Sequence, residues 1–256
     1  MDRNVVITGG SKGIGKAMVD AFLLENDKVI FTARGEADAK KVLEEKKEAV
    51  AEGRLFFLKS DVSKEDDVQK LVEFTTKKIG ACDILINNAA IFHGGKVHQN
   101  SIKEFEDQFA VNVCGVFLMC KYFIPQMLEK KSGNIINISS NAGLNGGYNM
   151  SIYASTKAAV VGLTRSMAMD YTREGLRING ICPSATLTDM FLNGNDKSVI
   201  ELYENNNPAR RLGLPKEIAD AAVFLASNQS SYISGQFLSV DGGISAWNGE
   251  ACQTTR

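Results

Sequence analysis

The chain has 256 residues, 44% of them hydrophobic and 23% charged, and a net charge of −1. That is the make-up of a soluble globular protein long enough for one large core. So balanced a charge gives no pull towards nucleic acid or an anionic membrane, and the paired lysines (Lys40-Lys41, Lys46-Lys47, Lys77-Lys78, Lys130-Lys131) sit among acids on helical faces.

The first predicted strand, residues 4–8, begins almost at once, so no signal peptide is expected. Further strands are predicted at 28–33, 55–60, 83–87, 134–139, 177–182 and 236–240, with amphipathic helical stretches at 14–25, 38–51, 64–79, 102–129 and 152–173. Strands such as VVIT and DILIN do not alternate, which indicates burial on both faces. No apolar run is expected to span a membrane. Repeated β-α units predict the α/β class: a single doubly wound Rossmann domain over 1–256, its seven-stranded parallel sheet covered by helices on both faces. The polar, Asn-rich run 193–207 breaks the pattern, and the wider excursion 188–212 reads as a mobile lid. The tail 244–256, with the only tryptophan, Trp247, has no pattern. Cys82, Cys114, Cys120, Cys182 and Cys252 form no CxxC and lie far from His93 and His98. Free thiols in a reducing cytoplasm and no metal site are therefore expected.

The stretch VVITGGSKGIGKAM (5–18) carries two overlapping phosphate signals. Gly10 to Lys16 matches the start of GxxxxGK[ST], but Ala17 lacks the hydroxyl that ligates magnesium, and Asp83 precedes its strand instead of following it. Thr8-Gly9-x-x-x-Gly13-x-Gly15 fits a dinucleotide turn better. Gly9 and Gly13 let the backbone approach a pyrophosphate, and Gly15 lets the next helix lie close to the sheet. The second strand ends without the acid that holds a ribose 2′-hydroxyl, and Arg34 follows. With Lys12 in the glycine turn, Arg34 suits a 2′-phosphate, so NADP(H) is favoured over NAD(H); two surface cations would be the bland alternative.

Tyr153 and Lys157 are four residues apart on a predicted helix and so share a face. A nearby ammonium stabilises a phenolate and makes tyrosine a usable acid–base group. Ser140, just after the strand 134–139, can offer a hydroxyl to the same substrate oxygen.

Together, TGGSKGIG (8–15), Asp61-Val62, NNAA (87–90), Asn112, Ser140, YxxxK (153–157), PSATLT (183–188) and VDGG (240–243) resemble the short-chain dehydrogenase/reductase family, over residues 4 to about 243. The resemblance implies Tyr153 as general acid/base and Lys157 as its pKa-lowering partner and a ribose ligand. Ser140 would polarise the carbonyl, and Asn112 would fix a backbone kink and a water that relays protons to Lys157. It implies coenzyme contacts from Gly9, Ser11, Lys12, Gly13, Ile14, Gly15 and Arg34, from Asp61 and Val62 at the adenine, and from Asn87 and Ala89 on the adenosine side. Thr186 and Thr188 would meet the nicotinamide carboxamide and the phosphate. It also implies a homodimer or homotetramer built through 102–129 and 152–173. Ala90 and Ser184 replace glycines of the family pattern, which bears on pocket shape.

The substrate is expected at the loop after Ala90, at 141–150 and at the lid. Met190, Phe191 and Leu192 favour a 3-oxoacyl thioester or hydroxysteroid ketone, whereas Asn141, Asn145, Tyr148 and Asn149 leave a sugar or polyol open. A non-catalytic NADP(H)-binding sensor is the reading from another class; the set Asn112, Ser140, Tyr153 and Lys157 argues against it.

Overall fold

The computed structural model describes residues 2–250; residues 251–256 of the tail, with Cys252, lie outside the described residues. The strands are β1 (Asn4–Thr8), β2 (Lys28–Ala33), β3 (Leu55–Lys59), β4 (Ile84–Asn87), β5 (Gly133–Ile138), β6 (Leu176–Pro183) and β7 (Phe237–Val240). All seven predicted strands are present, their ends shifted by at most one residue. They form one sheet in the order β3-β2-β1-β4-β5-β6-β7, every pair parallel. The order reverses between β1 and β4, which opens a crevice at the carboxyl ends of the strands.

Alternate residues of each central strand enter separate cores. Val5, Ile7, Val29, Phe31 and Ile86 pack with Met18 and Phe22 of α1 (Gly13–Leu24) and with Ile218 and Ala222 of α10 (Pro215–Ala226). Val6, Ile30, Leu85, Ile135 and Ile178 pack on the other face, against α4 (Glu65–Ile79), α6 (Gly115–Lys130) and α7 (Ser151–Tyr171). Burial on both faces explains the unbroken apolar strands, each large side chain contributing roughly 1.5–3 kcal/mol.

Two predicted helical regions and the excursion take a different form. The stretch 38–51 divides at Lys46 into α2 (Glu36–Glu45) and α3 (Lys47–Ala51). The stretch 102–129 comprises α5 (Ile102–Phe109), a wider π-turn at Ala110–Cys114, and α6. This run, Ile102–Lys130, is by length and composition long and apolar enough to cross a membrane, which corrects the expectation that none would be. Half of that apolar stretch is core: Val116, Met119, Cys120, Phe123, Ile124 and Met127 are buried against the sheet and its neighbours, while Ile102, Phe105 and Phe117 are exposed. The excursion is also more regular than its polar composition indicated. It carries α8 (Asp189–Leu192) and α9 (Lys197–Asn206), neither with a buried residue. Its neck is closed by hydrogen bonds from Leu187 N to Gly213 O (2.8 Å) and from Gly213 N to Ala185 O (3.0 Å).

Candidate active site

The glycine turn leaves the end of β1 with Gly9 at φ +68° and Gly13 at φ +51°, conformations that side chains disfavour. A Cβ on Gly15 would lie 2.1 Å from the Gly9 carbonyl oxygen, so only glycine lets α1 pass this close. Lys12 is the N-cap of α1, yet no side chain caps the helix, which leaves its first N–H groups for a ligand anion. Ser11 is half-buried in the turn, and the Ile14 side chain packs on the core, so Ile14 offers its backbone alone. These features fit a dinucleotide pyrophosphate.

The turn is braced by β4. Thr8 Oγ1 accepts hydrogen bonds from Asn88 N and Ala89 N, both at 3.0 Å. Asn88 Nδ2 donates to the carbonyl oxygens of Thr8 (2.9 Å) and Gly9 (3.2 Å). The Asn87 amide is instead buried and donates to Asn137 Oδ1 (2.8 Å), which directs that side chain into the helix–sheet interface. Asn88 is thus the side chain of NNAA that touches the glycine turn, and sequence reasoning missed it. Only its hydrogen bonds to the β1 end distinguish it from its neighbour.

Thr188 brings the excursion over the turn, its methyl 3.0 Å from where a Cβ on Gly13 would stand. Thr188 caps α8, and Thr186 is buried, its hydroxyl donating to Ser184 O (2.9 Å). At the end of β3, Asp61 Oδ1 accepts from Ser63 N (3.0 Å) and Ser63 Oγ (2.7 Å). Val62 is buried against Gly115. Arg34 is exposed after β2, while Lys12 Nζ lies 2.8 Å from Asp38 Oδ2 in the first turn of α2. Lys16, the apparent P-loop lysine, pairs with Glu45 at 2.8 Å and with Asp20 at 3.5 Å on the surface.

Tyr153, Lys157 and Ser140 come together where α7 crosses the end of β5. The Ser140 hydroxyl lies near enough to the Tyr153 phenol to lower its pKa, while its own proton goes to Asn141 Oδ1 at 3.3 Å. Ser140 Oγ also accepts from Ala142 N at 3.2 Å, which fixes it at the start of a short turn. Lys157 is buried and its Nζ donates to the Ile138 carbonyl at 2.8 Å, standing 5.6 Å from the centre of the Tyr153 ring. Burial pushes the Tyr153 phenol up to about 12, against the nearby Ser140 hydroxyl, which lowers it. Burial also pushes Lys157 down to about 8.

Asn112 lies in the π-turn, 1% exposed, and brackets one peptide: Oδ1 accepts from Ile91 N (2.8 Å), while Nδ2 donates to Ile91 O (2.9 Å). The same Nδ2 donates to Thr156 Oγ1 (3.1 Å), whose hydroxyl donates to Tyr153 O (2.8 Å). The loop after β4, the π-turn and α7 are thereby joined around Tyr153. Phe92 follows the bracketed residue and meets the Tyr153 ring edge-on, centroids 5.3 Å apart. Cys182, at the end of β6, is a buried neutral thiol beside Ser139, pushed up to about 11 chiefly by burial. Thr156, Phe92 and Cys182 carry no motif, and only the fold brings them to this site.

A glycine turn at the switch point, with a tyrosine, a lysine and a serine at the neighbouring strand ends, defines a nicotinamide-dependent alcohol/ketone oxidoreductase. A family model described as enoyl-(acyl carrier protein) reductase matches residues 9–245. The chain is 35% identical to meso-2,3-butanediol dehydrogenase of Serratia marcescens over 247 residues, 96% of each chain. It is 35% identical to 7α-hydroxysteroid dehydrogenase of Escherichia coli over 238 residues, 93% of this chain and 92% of that one. Among solved structures, ElxO with NADP bound matches with a TM-score of 0.90 and 32% identity, over 96% of this chain and 100% of that one. The chain belongs to the short-chain dehydrogenase/reductase family.

Proposed function

We propose that the enzyme interconverts an apolar secondary alcohol and its ketone with NADP(H), Tyr153 acting as the general acid/base. The observation that carries this reading is the convergence of Tyr153, Ser140 and Lys157, with Lys157 Nζ 5.6 Å from the centre of the Tyr153 ring, at the carboxyl edge of the sheet. When bound, NADP(H) supplies or accepts the hydride at its nicotinamide. In the reductive direction Tyr153 gives its proton to the carbonyl oxygen, and Ser140 donates a hydrogen bond to that same oxygen. Lys157, while charged, stabilises the phenolate left behind and binds the nicotinamide ribose. Asn112 positions the residues around Tyr153 through Ile91 and Thr156.

The glycine turn (Gly9, Ser11, Gly13, Ile14, Gly15) would hold the pyrophosphate, and Lys12 with Arg34 the 2′-phosphate. Asp61, Val62 and Ala89 would contact the adenosine, with the Asn87 position contributing backbone only. Thr186 and Thr188 would contact the nicotinamide side. The NADP bound to ElxO supports the coenzyme choice.

Exposed Phe92, Leu144, Tyr148, Leu187, Met190 and Leu192 around the site support an apolar ketone of the hydroxysteroid or 3-oxoacyl class. The excursion 188–212 would act as a lid over it. A small diol or polyol is the second reading, favoured by Asn141 beside Ser140, whose Oδ1 accepts from the serine hydroxyl at 3.3 Å. Exposed Phe105, Phe117 and Met169 on α5–α7 support a homodimer or homotetramer, and the free Cys82, Cys114, Cys120 and Cys182 suit a cytoplasmic site. NADPH oxidation against acyl, steroid and sugar ketones tests the reading. An apolar ketone is expected to exceed the sugars in kcat/KM by about tenfold or more; a sugar preferred by that margin would overturn it.

A further inference from the structure

The ion pair between Lys12 and Asp38 is not accounted for by coenzyme binding as described above. Lys12 Nζ stands 2.8 Å from Asp38 Oδ2, and the other carboxylate oxygen takes Lys41 Nζ at 3.1 Å. Asp38 lies in the first turn of α2, four residues beyond Arg34, so the pair joins the glycine turn to the segment that follows β2. Glu36, in the same turn, is already engaged by Lys59 (3.6 Å) and Lys40 (3.9 Å). Among the described residues, Arg34 makes no ion pair. Lys12 is raised and Asp38 is lowered, each chiefly by its hydrogen bond to the other, so both stay charged around neutrality.

We propose that Asp38 sets the choice between NADPH and NADH by competing with the coenzyme's 2′-phosphate for Lys12. The inference rests on the reading that Lys12 and Arg34 meet that phosphate. A phosphate monoester is largely dianionic at neutral pH. Its arrival beside Arg34 sets two anions against one lysine, and Lys12 must leave the carboxylate or divide itself between them. NADH brings a neutral hydroxyl to the same place and leaves the pair intact. The carboxylate therefore weakens NADPH binding selectively, and the enzyme prefers NADPH less than its two cations alone would dictate. Lys12 and Asp38 are partly solvent-exposed, so the effect is modest and is screened by salt.

The test is the dissociation constant of each coenzyme, read from nicotinamide fluorescence at low ionic strength, for the wild type, Asp38→Asn, Lys12→Ala, the double variant and Arg34→Ala. Asp38→Asn is expected to tighten NADPH about two- to fivefold and to leave NADH unchanged, with most of the gain absent when Lys12 is already alanine. An unchanged or lowered NADPH-to-NADH preference in Asp38→Asn would overturn the proposal, as would a full gain without Lys12. Arg34→Ala separates the two levels. If it weakens both coenzymes equally, the 2′-phosphate reading itself fails. If it weakens NADPH alone while Asp38→Asn does nothing, only the competition fails.

Discussion

The glycine turn and the excursion from Thr188 to Leu212 meet where Thr188 crosses Gly13, yet they are built on opposite principles. The turn is fixed by exclusion. Added atoms at Gly15 would strike backbone at 2.1 Å, and Thr8 and Asn88 hold the turn with four hydrogen bonds to the ends of β1 and β4. The excursion is tied mainly at its neck, and neither α8 nor α9 buries a residue. Its internal cohesion rests on contacts such as Phe191 edge-on to Tyr203, centroids 5.0 Å apart. A part common to every turnover is rigid, whereas a part that must fit one substrate is loosely held and apolar.

The largest expected effect comes from breaking the rigid half. Gly15→Ala should cost about 1–3 kcal/mol of stability by overpacking. Coenzyme affinity should fall by at least about tenfold, since the helix N-terminus is displaced from the phosphates. Gly146→Ala is the control, because a Cβ there meets nothing within 4 Å. Thermal melts and coenzyme titration of the two variants read the difference; equal behaviour would show that the tight turn is not what holds the coenzyme.

An intermediate effect is expected in the catalytic trio. Lys157, pushed down to about 8 by burial, is charged below that pH and neutral above it, whereas Tyr153, at about 12, keeps its proton throughout the range. Ketone reduction at saturating NADPH should therefore fall as pH rises through about 8, through loss of the lysine charge and not of the tyrosine proton. A kcat profile flat to pH 10 would separate Lys157 from the proton transfer. The smallest effect belongs to the excursion. Phe191→Ala removes an aromatic pair and should raise KM for bulky ketones about two- to tenfold, leaving kcat for a small ketone and the melting temperature nearly unchanged. Equal losses on small and bulky ketones would contradict a lid that reads substrate size.

The same contrast governs what the sequence makes legible. The strands, the glycine turn and the Tyr153–Lys157 spacing are read directly because periodicity and backbone sterics act locally. The α9 helix escapes notice because its apolar residues, Val199, Ile200, Leu202 and Tyr203, are few and lie between the polar, Asn-rich runs 193–196 and 204–207, and none of them is buried. The kink at Asn112 is expected from the resemblance alone; its form, a π-turn held by the bracket on Ile91, leaves no local pattern, since that bracket is a contact between separate elements. Asn88 is hidden beside Asn87 until the β1 end shows which amide reaches the turn. The Lys12–Asp38 pair spans 26 residues and joins a loop to a helix, beyond any local pattern.

The central claim is that Tyr153 moves the proton while other residues hold the coenzyme. Tyr153→Phe keeps the ring against Phe92 and removes only the hydroxyl. Measured side by side in this variant, NADPH binding should stay within about twofold of the wild type while ketone reduction falls by a factor of about 100 or more. Turnover undiminished in Tyr153→Phe would contradict the account.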